Sequence, residues 1–99
     1  MPVFLICYEL KKTWRNYDAL YAALKSSGSY VRLFDAAWLV DTTMTSGEVL
    51  AVLRQRIDPG DSVVITELSR AAWKLPASHS EWITDKFSAS PLPPADGGE

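Results

Sequence analysis

The pattern of apolar and polar positions along the chain predicts four β-strands. The first is an almost unbroken apolar run that ends at Glu9 or Leu10, which is typical of a strand buried inside a sheet. The second alternates in polarity, with Tyr30, Arg32 and Phe34 on one side. Two further segments follow, and the first of them is a short apolar run joined to the second strand near Asp35. The predicted strands cover residues 3–9, 29–34, 36–40 and 62–68.

Apolar residues at helical spacing predict helices between and after these strands. The first helix follows Asn16, a favourable N-cap, and ends near Gly28, which can adopt the left-handed stop. The spacing of Thr45 and Glu48 is that of a capping box, and an apolar stripe follows it. The same spacing recurs at residues 78–81 and predicts a short terminal helix.

The order of these elements, βαββαβ, predicts an α+β fold with a ferredoxin-like sheet. Short, right-handed connections favour the strand order 4-1-3-2 with both helices on one face. We expect a single domain over residues 1–87 that includes a short C-terminal helical extension. Residues 88–99 contain three prolines, two glycines and one large apolar residue, so they predict a disordered tail.

Two carboxylates close the first and third strands of this predicted sheet. We expect these strands to be adjacent and parallel, which places Glu9 and Asp41 at the same rim, where carboxylate oxygens could hold a hard cation such as Mg²⁺. The alternative is that Glu9 is a solvated strand end. A zinc site is not expected, because Cys7 and His79 are far apart in the sequence.

The loop after the first strand combines basic and aromatic side chains. Lys11, Lys12 and Arg15 precede the N-terminus of a helix, which attracts anions, and Trp14 could stack on a base. The loop therefore predicts a site for the phosphates of a nucleic acid. An ordinary solvated loop with its tryptophan packed on the core remains the alternative.

Composition and charge limit the classes of function. The chain has 99 residues and a formal charge of −2, and residues 1–87 alone contain ten acidic and ten basic side chains. A neutral body neither implies nor excludes nucleic acid. The first apolar run is too short to cross a membrane and no charged leader surrounds it, so we expect a cytoplasmic protein. A chain this short gains burial by pairing, which favours a homodimer with tryptophans as interface or core anchors: Trp38, Trp73 and Trp82.

Several segments carry a resemblance to a known family. They are Phe4-Leu5-Ile6-Cys7-Tyr8-Glu9-Leu10, Asn16-Tyr17-Asp18-Ala19-Leu20, Trp38-Leu39-Val40 and Asp61-Ser62-Val63-Val64-Ile65. They resemble the Cas-two-like fold, the family of the small CRISPR adaptation subunit and its relatives. Ala71-Ala72-Trp73 and Glu81-Trp82 are similar to the SinR-like branch of that family in particular.

The resemblance implies a ferredoxin-like homodimer with a role associated with RNA or DNA. Many members end the first strand with Tyr-Asp, and that aspartate is the proposed Mg²⁺ ligand of a phosphodiesterase, one from each subunit. Glu9 occupies this position here and extends the carboxylate by one carbon. One hypothesis is therefore a Mg²⁺-dependent endonuclease that uses Glu9 with Asp41. The other is a non-catalytic dimeric scaffold or protein-interaction module.

Overall fold

A computed structural model describes residues 2–11 and 17–87 and shows an α+β chain. The order of strands and helices follows the predicted pattern, with a third helix after the last strand. The elements are β1 (Val3–Glu9), α1 (Asp18–Ser26), β2 (Ser29–Phe34), β3 (Ala37–Asp41), α2 (Ser46–Arg54), β4 (Ser62–Leu68) and α3 (Ala77–Lys86).

The four strands form one sheet in the order β2-β3-β1-β4. Read from the opposite edge, this is the order 4-1-3-2. The central strands β1 and β3 pair along their length, with Val3 opposite Asp41 and Cys7 opposite Ala37. The pairing of β2 with β3 is interrupted by an irregularity between Arg32 and Phe34. The sheet therefore has β2 and β4 at its edges.

The prediction that the first and third strands run parallel is wrong. β1 and β3 are antiparallel, and β2 and β3 are antiparallel as well. The reason lies in the connections. A two-residue turn at Asp35 and Ala36 reverses the chain between β2 and β3, whereas a helical crossover joins β1 to β2 and lets them run in the same direction. β3 therefore lies between β1 and β2 and runs antiparallel to both.

Helices α1 and α2 cover one face of the sheet and form the core with it. Every second residue of β1, namely Phe4, Ile6 and Tyr8, points to this face, where Trp38 and Val40 of β3 join them. The buried helical side chains of this cluster are Leu20, Ala23, Leu24, Val49 and Leu53. The prediction that the first strand is buried inside the sheet is confirmed, because β1 lies between β3 and β4 and residues on both of its faces, including Val3 and Phe4, are buried.

Local hydrogen bonds confirm one of the predicted helix starts and correct another. The Glu48 backbone N–H donates to Thr45 Oγ1 at 3.1 Å, and the Thr45 N–H donates to the Glu48 carboxylate at 2.8 Å, which completes the capping box of α2. The capping box predicted at residues 78–81 is wrong, because α3 begins at Ala77 after Pro76 and Ser78 is already helical. Asn16 lies outside the described residues.

The chain divides into two compact units at the end of β4, Met1–Glu67 and Leu68–Glu99. The first contains the sheet up to Glu67 together with α1 and α2. In the second, the described residues include α3 and a tilted pair of aromatic rings, Trp73 and Phe87, with centroids 6.5 Å apart. None of the helices in residues 2–11 and 17–87 has the length and apolar character needed to cross a membrane.

Candidate functional site

Glu9 lies at the C-terminal end of β1 with its side chain 69% exposed. Lys11 follows it, and the Lys11 ammonium is 3.3 Å from Glu9 Oε1. Two of the predicted site residues are therefore neighbours, and they form an exposed ion pair. The other predicted residues of this loop, Lys12, Trp14 and Arg15, lie outside the described residues.

Asp41, the predicted partner of Glu9, lies at the opposite end of the sheet. It pairs with Val3 at the start of β1, and Glu9 is six residues farther along that strand. At about 3.4 Å per residue, the two positions are about 20 Å apart. Asp41 is also buried, with 7% of its surface exposed. The prediction that Glu9 and Asp41 share a rim is wrong, because it depended on parallel strands.

A pocket of about 470 Å³ opens beside Glu9 at the C-terminal end of β1. We call it the rim pocket. It combines the end of β1, a side chain of α1 and the turn between β2 and β3. Its lining residues are Tyr8, Glu9, Leu10, Tyr21, Arg32, Asp35 and Ala36.

Hydrogen bonds fix the floor of the rim pocket to the core. The Tyr8 hydroxyl donates to the Asp35 carbonyl oxygen at 3.0 Å and accepts from Trp38 Nε1 at 2.9 Å. The Tyr8 backbone N–H donates to the Ala36 carbonyl oxygen at 3.1 Å. The turn between β2 and β3 is thus bound to the end of β1 by both backbone and side-chain contacts.

Arg32 reaches the rim pocket from the middle of β2. Its Nε and Nη2 donate to the Asp35 carbonyl oxygen at 3.2 and 2.7 Å. Its guanidinium carbon lies 5.0 Å from the centroid of the Tyr21 ring and 5.2 Å from that of Trp38, within the range of cation–π attraction. The side chain is exposed but held in one place, which suits a residue that binds an anion or a base.

The environment of Tyr8 keeps its phenol protonated. Burial raises the pKa of the Tyr8 hydroxyl above its usual value of 10.0, because a phenolate would lose its hydration there. The hydrogen bond from Trp38 and the positive charge of Arg32 act in the opposite direction but are smaller. Tyr8 therefore remains a hydrogen-bond donor to Asp35 at physiological pH.

The described residues do not group three candidate metal ligands at this rim. Mg²⁺ prefers an octahedral set of oxygen ligands, and Glu9 already contacts the Lys11 ammonium. Across residues 2–11 and 17–87, no three acidic, histidine or cysteine side chains are placed to share a metal ion. Asp41 is at the other end of the sheet, and Asp35 is the other acidic residue that lines the rim pocket.

A second pocket, of about 560 Å³, lies between α2 and the start of β4. The Asp61 carboxylate in this pocket stabilises the local turn. Asp61 accepts hydrogen bonds from the backbone N–H groups of Lys11 and Asp58, each at 2.8 Å, and from the Tyr17 hydroxyl at 2.9 Å. Because this carboxylate holds the loop together, we regard the rim pocket as the better candidate site.

Comparisons with models of protein families, with curated proteins and with solved structures found no match in any of the three. The rim geometry is therefore the main evidence on function.

Sequence reasoning missed Tyr8, Tyr21, Arg32 and Asp35 as site residues. One signal was present, since the alternation of β2 correctly placed Arg32 on the same side as Tyr30. An arginine between aromatic residues on the helix-covered side of a strand indicates stacking against a neighbouring ring. The register that sets Arg32 opposite Trp38 could not be derived from the pattern alone.

Proposed function

We propose that this protein is a homodimeric nucleic-acid-binding module of the Cas-two-like or SinR-like kind, with ferredoxin-like subunits. The observation that carries the proposal is the rim of β1, where the exposed Arg32 guanidinium lies beside the Tyr21 and Trp38 rings and the exposed Lys11 ammonium lies close to Glu9. Cations next to aromatic rings bind single strands, because they contact phosphates and stack on bases. The strand order β2-β3-β1-β4 supports a ferredoxin-like subunit.

Binding to labelled oligonucleotides at two salt concentrations tests this function. We expect a 20-nucleotide single-stranded RNA or DNA to bind at 50 mM salt and to dissociate at 300 mM, because phosphate contacts release counterions. Lys11→Ala should weaken binding uniformly across sequences and lower the salt dependence by about one counterion. Lys25→Ala, on the exposed last turn of α1, is the matched control. No binding at low salt would contradict the proposal.

Cleavage is a separate part of the proposal and depends on Glu9. A metal-dependent endonuclease would use Glu9 from both subunits, as the resemblance to the Cas-two-like family implies. The same oligonucleotides, incubated with Mg²⁺ or with EDTA, should be cut only with Mg²⁺ and only by protein that retains Glu9. If Glu9→Gln does not change cleavage, or if no cleavage occurs, the role in binding stands without catalysis.

The second candidate function is a non-catalytic scaffold. Phe34 on β2 and Val64 on β4 are 62% and 61% exposed, and large apolar side chains on both edge strands favour protein contacts. Light scattering should give twice the 11.0 kDa of one chain for a homodimer. A stable dimer without salt-sensitive binding to nucleic acid would support the scaffold over the first candidate.

A further inference from the structure

The rim pocket brings together two side chains with opposite hydrogen-bonding roles. Glu9 supplies a carboxylate, which only accepts, and Arg32 supplies a guanidinium, which only donates. Glu9 contacts Lys11 through Oε1 at 3.3 Å, and its carboxylate has about four acceptor positions. Nε and Nη2 of Arg32 donate to Asp35, and the N–H groups of Nη1 take no part in these two bonds.

Arg32 is already oriented before any ligand binds. The Asp35 carbonyl oxygen holds one edge of the guanidinium, and the Tyr21 and Trp38 rings lie next to each other beside it. The Asp35 carbonyl is in turn fixed by the Tyr8 hydroxyl. A side chain that is ordered in the free protein loses little freedom on binding, and this favours affinity.

Guanine is the base whose edges match this pair of side chains. Its N1–H and 2-amino groups are adjacent donors, which suit a carboxylate. Its O6 and N7 are adjacent acceptors, which suit the fork of an arginine. Adenine presents the N1 acceptor where guanine presents a donor, so it would oppose the carboxylate.

We propose that the rim pocket binds one guanine base of a single strand, with Glu9 accepting from N1–H and the 2-amino group and Arg32 donating to O6 and N7. The pocket volume of about 470 Å³ is large enough for one base with its ribose. This inference rests on the proposed nucleic-acid-binding function and names the substrate of the same site.

Free nucleotides test the pocket without the rest of a strand. Calorimetric titration with GMP, IMP and AMP should give GMP the highest affinity. IMP lacks only the 2-amino group and should bind about 10-fold more weakly, because one charge-assisted hydrogen bond is lost. AMP should bind more weakly still, because a site made for donors rejects an acceptor. Equal affinities for the three nucleotides would overturn the proposal.

Two variants and a matched control test whether Glu9 and Arg32 cause the preference for GMP over AMP. Glu9→Gln replaces one acceptor with a donor, and Arg32→Lys keeps the charge but removes the fork, so each should abolish the preference for GMP over AMP. Arg54→Lys, an exposed change on α2, should leave it unchanged. Since Arg32 also contacts Trp38, circular dichroism must show that its variant is folded; Glu9 is exposed and makes the independent test. An unchanged preference in folded Glu9→Gln would overturn the assignment.

Oligonucleotides with and without a guanine separate this inference from the proposed function. If oligonucleotides with a guanine and oligonucleotides without one bind equally well, the guanine pocket is overturned and nucleic-acid binding is left intact. Selective binding of GMP without binding of any strand would support the pocket and overturn the broader function. Absence of both would overturn both proposals.

Discussion

The two ends of the β1–β3 pair each carry an acidic residue, and these two residues differ in exposure and in packing. At one end, Glu9 is exposed, contacts Lys11 and borders the rim pocket. At the other end, Asp41 is buried and the adjoining backbone is tightly packed. There the Thr42 N–H donates to the Pro2 carbonyl oxygen at 3.1 Å, and Gly28 lies against Asp41.

This difference shows that an acid at a strand end does not by itself indicate a site. We call the end at Asp41 the closed end, because neighbouring backbone covers it, and it contributes to stability. We call the end at Glu9 the open end, because its charged side chains are accessible and can bind a ligand. Substitutions at the closed end should therefore change the free energy of unfolding, whereas those at the open end should change binding.

The largest expected effect is at the closed end, from Gly28→Ala. A β-carbon on Gly28 would collide with the Asp41 carbonyl oxygen and lie 3.1 Å from its carbonyl carbon. Backbone atoms cannot rotate away as a side chain does, so we expect a loss of about 3 kcal/mol in unfolding free energy, measured by urea denaturation. Gly60→Ala is the control, since its β-carbon would meet nothing within 4 Å and should change stability by less than about 0.5 kcal/mol. Equal effects would refute the tight packing at Gly28.

The direct comparison of the two acids comes next. Asp41→Ala should destabilise the protein by about 2 kcal/mol, because removing a side chain that is buried at this strand end leaves unfilled space. Glu9→Ala should cost less than about 0.5 kcal/mol, since exposed ion pairs contribute little. Thermal and urea unfolding of both variants checks the difference. A loss at Glu9 that matches the loss at Asp41 would mean that the open end is structural after all.

The sequence predicted the elements of the fold better than their directions. Apolar periodicity located all four strands and both core helices, and the Thr45 capping box and the turn at Asp35 were correct. Periodicity defines which face of a strand is buried, but it carries no information on which way the strand runs. Direction depends on the connections, and the two-residue turn before Ala37 was the feature that required antiparallel strands.

The candidate site was predicted only in part, because periodicity does not show how strands and helices are arranged relative to one another. Glu9 and Lys11 are local to the end of one strand, so the sequence could place them together. The rim pocket also needs Tyr21 from α1 and Arg32 from β2, and these meet through the packing of α1 and the register of β2 against β3. The prediction that Asp41 lies beside Glu9 was wrong, because β1 and β3 are adjacent, as expected, but run antiparallel rather than parallel.

A smaller effect is expected from Tyr8→Phe, which removes the hydroxyl that joins the open end to the core. The Trp38 indole N–H would lose its acceptor and the Asp35 carbonyl one of its donors. We expect a loss of about 1.5 kcal/mol in urea denaturation, together with weaker GMP binding because Arg32 is less firmly held. Tyr30→Phe, whose ring lies 5.6 Å from that of Trp38, should change stability by less than about 0.5 kcal/mol. If both variants behave alike, the Tyr8 hydroxyl does not support the rim.

The smallest expected effect is the change at alkaline pH in the stability that the Tyr8 hydroxyl contributes. The folded protein holds the Tyr8 proton more tightly than the unfolded chain, because burial raises the pKa of its phenol above 10.0. Above pH 10 the unfolded chain loses that proton first, so the stabilisation is complete below pH 10 and falls as the pH rises through the folded pKa. The difference in unfolding free energy between native protein and Tyr8→Phe should therefore narrow from pH 9 to pH 11, and the subtraction removes the titration of lysines and other tyrosines common to both. A difference that stays constant or widens would show that the Tyr8 phenol ionises at least as readily in the folded protein as in the unfolded chain.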